Sequence, residues 1–211
     1  MSEPAPHTER APPQEQTGRV EAPDALGRVD AAFRAAPRRL FLPAAQQDYA
    51  EVDQPLPIGH GQTSSQPSTV RRMLELLDVH PGQHVLDVGC GSGWTTGLLD
   101  WLTGPDGSVV GVELEEELAQ WGRSNLDGAG RGHVVVHTAQ PGVLGWPEDA
   151  PYDRILVSAQ ARELPGQLCE QLGEPGVMVV PVAGRMLVVR RTPGAEPTVE
   201  ASGHYRFVPL R

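Results

Sequence analysis

The chain has 211 residues, 17 basic against 27 acidic side chains and a net charge of −10, which fits one domain, or a domain with a short tail, large enough to close a hydrophobic core. All the basic residues are Arg, a bias that G/C-rich codon usage explains; without Lys there is no Schiff base, no lysine general base and no G-x-x-x-x-G-K-[ST] phosphate loop, and a net-negative surface suits nucleic acid poorly. Cys90 and Cys169 form no C-x-x-C pair, so neither a Cys-rich zinc site nor a disulfide framework is expected, and with no signal segment or long apolar run the chain reads as soluble, cytoplasmic and off the membrane.

Residues 1–23 hold Pro4, Pro6, Pro12, Pro13 and Pro23 among Glu, Gln and Thr, which predicts a disordered tail, with a single domain over 24–211. Asp24 suits an N-cap, and Leu26, Val29 and Phe33 follow at helical spacing until Pro37. Residues 53–65 read as a long Pro/Gly/Ser/Thr loop in which Leu56 and Ile58 suggest a functional segment. A helix follows with Val70, Met73, Leu74 and Leu77 on one stripe. Beyond it, strands at 84–88, 108–113, 133–138, 154–158 and 176–182 alternate with helices at 94–102, 115–125 and about 165–172. That alternation predicts an α/β fold, a doubly wound, mostly parallel Rossmann-like sheet. After 183 the helices stop, and strands at 184–191, 196–201 and 204–209 predict an antiparallel edge.

The sharpest local signal is Val85-Leu86-Asp87-Val88-Gly89-Cys90-Gly91-Ser92-Gly93-Trp94, a buried strand entering a glycine-rich loop before a helix. Glycines there let backbone N–H groups approach a ligand at the C-terminal edge of the sheet. Two ligands compete. A nicotinamide dinucleotide prefers G-x-G-x-x-G and would bring a pyrophosphate next to Asp87. A cationic sulfonium with an amino group suits G-x-G-x-G behind an acid, with Glu113 at the end of the next strand to accept from ribose hydroxyls. This arrangement of Asp87, Gly89, Gly91, Gly93 and Glu113 resembles the S-adenosylmethionine pocket of class I methyltransferases.

The segment Pro55-Leu56-Pro57-Ile58-Gly59-His60-Gly61-Gln62-Thr63-Ser64-Ser65-Gln66-Pro67 resembles the signature loop of protein-L-isoaspartate O-methyltransferases. In the family's order follow Ala150-Pro151-Tyr152-Asp153-Arg154-Ile155-Leu156-Val157, Gln171-Leu172 with Pro175-Gly176 and Val180-Pro181-Val182, and Arg206-Phe207-Val208-Pro209-Leu210. Ala32-Phe33, Pro37-Arg38 and Leu40-Phe41 agree as well, so the resemblance spans 24–211. It implies methyl transfer from S-adenosylmethionine to the free carboxylate of L-isoaspartyl residues in proteins or peptides, which starts repair through a succinimide, by a monomer that needs no metal. Ser65 would be the active-site serine with Thr63 beside it, although Ser65 also suits a helix cap before Pro67. Gln62, Ser64, Asp87, Gly89, Gly91, Gly93 and Glu113 would hold the cofactor. Ile58, Gly59, Ser65 and the 206–208 backbone, Arg206, Phe207 and Val208, would hold the substrate. A carboxylate with a pKa of about 4 is already ionised at neutral pH and needs no general base.

Three positions depart from the family's pattern. Gln140-Pro141-Gly142 stand where Gly-Asp-Gly usually meets the adenine amino group, Ser64 replaces an aliphatic residue, and Cys90 replaces Thr. These departures keep two further readings open: a relative methylating an aspartyl side chain of one dedicated peptide or protein, and a non-catalytic module that binds S-adenosylmethionine.

Overall fold

The structure, a computed structural model, describes residues 25–211; the Pro-rich segment 1–23 and the Asp24 cap lie outside the described residues. In chain order, helix α1 (Ala25–Ala35) leads through two 3₁₀ turns, Arg38–Phe41 and Ala44–Tyr49, to a hairpin of β1 (Leu56–Gly59) and β2 (Gln62–Ser64). Then come α2 (Pro67–Leu77), β3 (His84–Val88), α3 (Trp94–Thr103), β4 (Ser108–Glu113), α4 (Glu116–Gly128), β5 (Val135–Thr138), β6 (Tyr152–Val157), α5 (Gly166–Gln171), β7 (Leu172–Val182), β8 (Arg185–Arg191) and β9 (Thr198–His204).

The main sheet runs β5-β4-β3-β6-β7-β8-β9, with β3 to β7 parallel and β8 and β9 antiparallel. The expected doubly wound sheet with an antiparallel edge is therefore present. Its parallel strands are apolar on both faces because helices or packed segments cover both. Val85, Val109, Leu156 and Val179 join Met73, Leu77, Leu98, Leu99 and Leu126 from α2, α3 and α4 in one core layer. Leu86, Val110, Ile155, Val157 and Met178 join Tyr152 and Leu168 in the other. Full burial of each such Leu or Ile contributes about 1.5–3 kcal/mol.

The chain leaves β3 toward β4 and β5 on one side and reaches β6 and β7 on the other. A crevice opens at the C-terminal end of β3, where open α/β sheets bind their ligands.

Three expectations change. The 53–65 segment contains a hairpin, not an irregular loop: Leu56 pairs with Ser64 and Pro57 with Thr63, while Leu56 and Ile58 turn inward to pack with Leu118. The third strand begins at Val135, and the strand expected from 176 begins already at Leu172. The antiparallel edge has two strands; 204–209 forms no third strand but runs back over the sheet to an isolated parallel bridge between Gln160 and Pro209.

Candidate active site

Two turns of sequence build the crevice. After β3, Gly89, Gly91 and Gly93 adopt φ of +76°, +54° and +90°, and close packing also holds the loop: a Cβ on Gly91 would lie 3.1 Å from Ile58 Cδ1. Four of the five N–H groups from Gly89 to Gly93 are already bonded. Gly89 and Cys90 N–H donate to Val112 O at 2.8 and 3.2 Å, Gly93 N–H to Cys90 O at 2.9 Å, and Gly91 N–H to Glu113 Oε2 at 2.8 Å. The Glu113 carboxylate also accepts from Leu114 and Glu115 N–H at 2.8 and 3.1 Å, both at Oε1, so it is fixed at the rim while Oε2 keeps a lone pair for a ligand.

Asp87 sits behind the loop, fully buried. Its Oδ2 accepts from the Thr95 and Thr96 hydroxyls, both at 2.7 Å, and its Oδ1 has no partner among the described residues. Burial raises its carboxyl to about 6, against the pull of the two threonines. An unpaired carboxylate oxygen beside a crevice is a site for a cation and repels a pyrophosphate. The sulfonium and ammonium of S-adenosylmethionine fit these residues; a dinucleotide's phosphates do not.

The hairpin forms the opposite wall. Arg38, 4% exposed, drives its guanidinium under it: Nε donates to Ser64 Oγ at 3.0 Å, Nη2 to Ser64 O and Gln54 O at 2.9 and 3.0 Å, and Nη1 to Val52 O at 3.3 Å and Ala50 O at 3.5 Å. It also lies 5.2 Å from the Trp94 ring, whose indole N–H donates to Ala36 O. Burial lowers the Arg38 pKa to about 10, so it stays charged at neutral pH. Ser64, a departure from the family's aliphatic residue, is thus a polar residue buried with a partner. Ser65 does not cap α2: Asp53 does, its Oδ1 accepting Ser68 N–H at 2.8 Å and its Oδ2 the Gln66 amide at 3.0 Å. These bonds hold the Asp53 carboxyl below its usual range. The capping reading of Ser65 is overturned, and Ser65 lines the cleft.

The cleft holds about 890 Å³ of empty space, part of it open to solvent. It brings together Ile58, Gln62, Thr63, Ser64, Ser65, Gly89, Gly91, Glu113 and Val208. Asp87 and Gly93 lie directly behind this lining. Gly59, at the hairpin turn with φ +94°, and Arg206 and Phe207 stand outside it. So do Gln140, Pro141 and Gly142, which form an exposed turn, while Ala139, Val143, Leu144 and Gly145 on either side of it reach the cleft. The terminal segment crosses above: Val208 O accepts from Gln160 N–H at 2.7 Å, Leu210 N–H donates to Gln160 O at 2.8 Å, and Arg211 pairs with Glu115. Cys90 packs rather than reacts; burial pushes its thiol up well above the usual range. Sequence reasoning gave no role to Arg38, Thr95, Thr96 or Gln160. Thr95 and Thr96 could have been found from hydroxyls one turn past a buried acid; Arg38 carries no local signal that it is buried.

The model of the protein-L-isoaspartate(D-aspartate) O-methyltransferase (PCMT) family matches residues 18–211. The chain belongs to this family. A protein-L-isoaspartate O-methyltransferase of Methanopyrus kandleri is 44% identical over 187 residues, covering 87% of this chain and 83% of that protein. One from Methanococcoides burtonii is 43% identical, covering 87% and 91%. A solved protein-L-isoaspartate O-methyltransferase superposes with a TM-score of 0.79 at 26% identity, covering 87% of this chain; this chain spans 61% of that longer one. A Plasmodium falciparum PCMT in complex with S-adenosyl-L-homocysteine shares the fold, with a TM-score of 0.74 at 23% identity and coverage of 87% and 90%.

Proposed function

We propose that this chain transfers a methyl group from S-adenosylmethionine to the free carboxylate of L-isoaspartyl residues in proteins and peptides, starting their repair through a succinimide. Family membership across the whole described domain supports the reaction. The observation that carries the donor's assignment is the unpaired, fully buried Oδ1 of Asp87 behind the glycine loop.

When bound, S-adenosylmethionine supplies a methyl group on a positively charged sulfur. Asp87, from behind Gly89, Gly91 and Gly93, offers its amino-acid end the charge it needs, and Glu113 offers fixed acceptors to the ribose. Gln62 and Ser64 border the cofactor from the hairpin, and the Gln140-Pro141-Gly142 turn, through its neighbours Ala139 and Val143, borders the adenine. Ser65 and Thr63 orient the substrate carboxylate through hydroxyls, which align it without quenching its negative charge as an ion pair would. Ile58, Gly59 and the 206–208 backbone flank the substrate, and hairpin and terminal segment together exclude water.

The acting unit in this reading is one domain, 24–211, working as a monomer in the cytoplasm on protein or peptide rather than nucleic acid. The net charge of −10 and the free thiols of Cys90 and Cys169 suit that setting. No helix among the described residues is long and apolar enough to cross a membrane. The test is methyl uptake by two peptides that differ only in carrying isoaspartate or aspartate. Labelling confined to the isoaspartyl peptide is expected; equal labelling of both would reject the repair reading.

A further inference from the structure

Ser158, at the end of the strand expected over 154–158, follows β6 directly. Its N–H donates to Val88 O at 2.8 Å, so the β3–β6 ladder continues one residue past the strand. Side chains alternate along a strand. Asp87 is the register partner of Leu156, which belongs to the core layer under α3, whereas Val88 and Val157 belong to the other. Ser158, two residues beyond Leu156, therefore returns to the Asp87 face and stands opposite Gly89. Gly89 leaves the space between them open: a Cβ there would meet Ala159 Cβ at 3.7 Å and the Ser158 carbonyl carbon at 3.8 Å.

The Ser158 hydroxyl oxygen is buried without a hydrogen-bond partner among the described residues, and Ser158 lines the cleft. Asp87 Oδ1, on the same face of the neighbouring strand, is orphaned in the same way. Ser158 stands diagonal to Asp87 in the register and no hydrogen bond joins the two side chains, so a group that reaches both from the cleft is matched to them by several donors and a positive charge. A ribose hydroxyl brings one donor and no charge, and a carboxylate would be repelled by Asp87. A primary ammonium meets both requirements.

We infer that Ser158 is a cofactor-binding residue whose Oγ accepts a hydrogen bond from the α-ammonium of the methyl donor's amino-acid tail, with Asp87 supplying the counter-charge. This rests on the methyl-donor reading above, and the test separates the two. Isothermal titration compares S-adenosylhomocysteine with 5′-methylthioadenosine, which keeps the nucleoside and thioether but lacks the tail, on the wild-type protein and on Ser158→Ala. The expected result is an S-adenosylhomocysteine Kd about tenfold weaker in the variant, the worth of one charge-assisted hydrogen bond, and a methylthioadenosine Kd within about twofold of wild type. The ligand-free variant should melt no lower than wild type, since it loses only an unsatisfied hydroxyl. Equal weakening of both ligands, no change in either, or a clear loss of ligand-free stability would overturn the assignment. Failure of the wild-type protein to bind either ligand would instead remove the methyl-donor reading, and this inference with it.

Discussion

Asp87 holds its charge where charge is costly, and the consequence has a sign. Burial raises its folded pKa to about 6 from the usual aspartate value of about 4, so between these values the folded state keeps a proton that the unfolded chain has released. This group's contribution to stability is therefore largest below about pH 4 and is lost as pH rises to about 6; at neutral pH the ligand-free protein carries a cost on the order of 3 kcal/mol from it. Asp87→Asn is expected to raise the ligand-free melting temperature at pH 7 by roughly 3–8 °C, while abolishing the thermal shift produced by S-adenosylhomocysteine; differential scanning fluorimetry checks both. The same titration predicts that cofactor affinity in the wild type falls as pH drops through about 6, toward tenfold per unit below it, measured by titration calorimetry between pH 5 and 8. Ser65 differs in kind, since the structure leaves it no capping role. Ser65→Ala should lower kcat about 10²-fold, as expected for a misaligned nucleophile, with the Kd for S-adenosylmethionine unchanged. Single-turnover kinetics beside titration separates these, and an unaltered rate would remove Ser65 from the mechanism.

The hairpin of β1 and β2 is the element on which the substrate side depends. Composition alone made it a loop, because Pro, Gly, Ser and Thr dominate a stretch whose strands span only Leu56–Gly59 and Gln62–Ser64. Its shape is set from outside: Leu56 and Ile58 anchor one strand against Leu118, and Arg38 satisfies carbonyls of the approach segment and of Ser64 on the other. Lys in place of Arg38 keeps the charge but not the planar fork that reaches several carbonyls at once. Arg38→Met strands the buried Ala50 and Ser64 carbonyls and should cost about 2–4 kcal/mol of stability, measured by urea denaturation. Arg38→Lys should cost less and lower kcat more than cofactor affinity, because Ser65 adjoins the residue that Arg38 holds.

At the scale of the whole molecule, the terminal segment ties the two sides of the crevice together. Gln160 beyond β6 holds Val208 and Leu210, and Glu115 beyond β4 holds Arg211, so the segment passes over the end of β3 that lies between them. The Arg211–Glu115 pair is partly exposed, with side chains 53% and 31% accessible, so its contribution is at most about 1 kcal/mol. Arg211→Ala should therefore weaken S-adenosylhomocysteine by no more than about fivefold, and 0.5 M salt should erase the difference between variant and wild type.

Local patterns in the chain suffice for the alternation of strands and helices from β3 to β7, the glycine loop with its two acids, and the family. Each of these is carried by contiguous patterns: apolar alternation, glycines at every second position, and a motif of consecutive residues. Tertiary structure alone decided that Asp87 keeps one oxygen unpaired, that Asp53 rather than Ser65 caps α2, that Arg38 supports the hairpin, and that Ser158 shares a face with Asp87. Those facts depend on burial and on which strands become neighbours. β3 and β6 meet only after the intervening β4, α4 and β5 have wound to the other side, so no local pattern in the chain records that they touch.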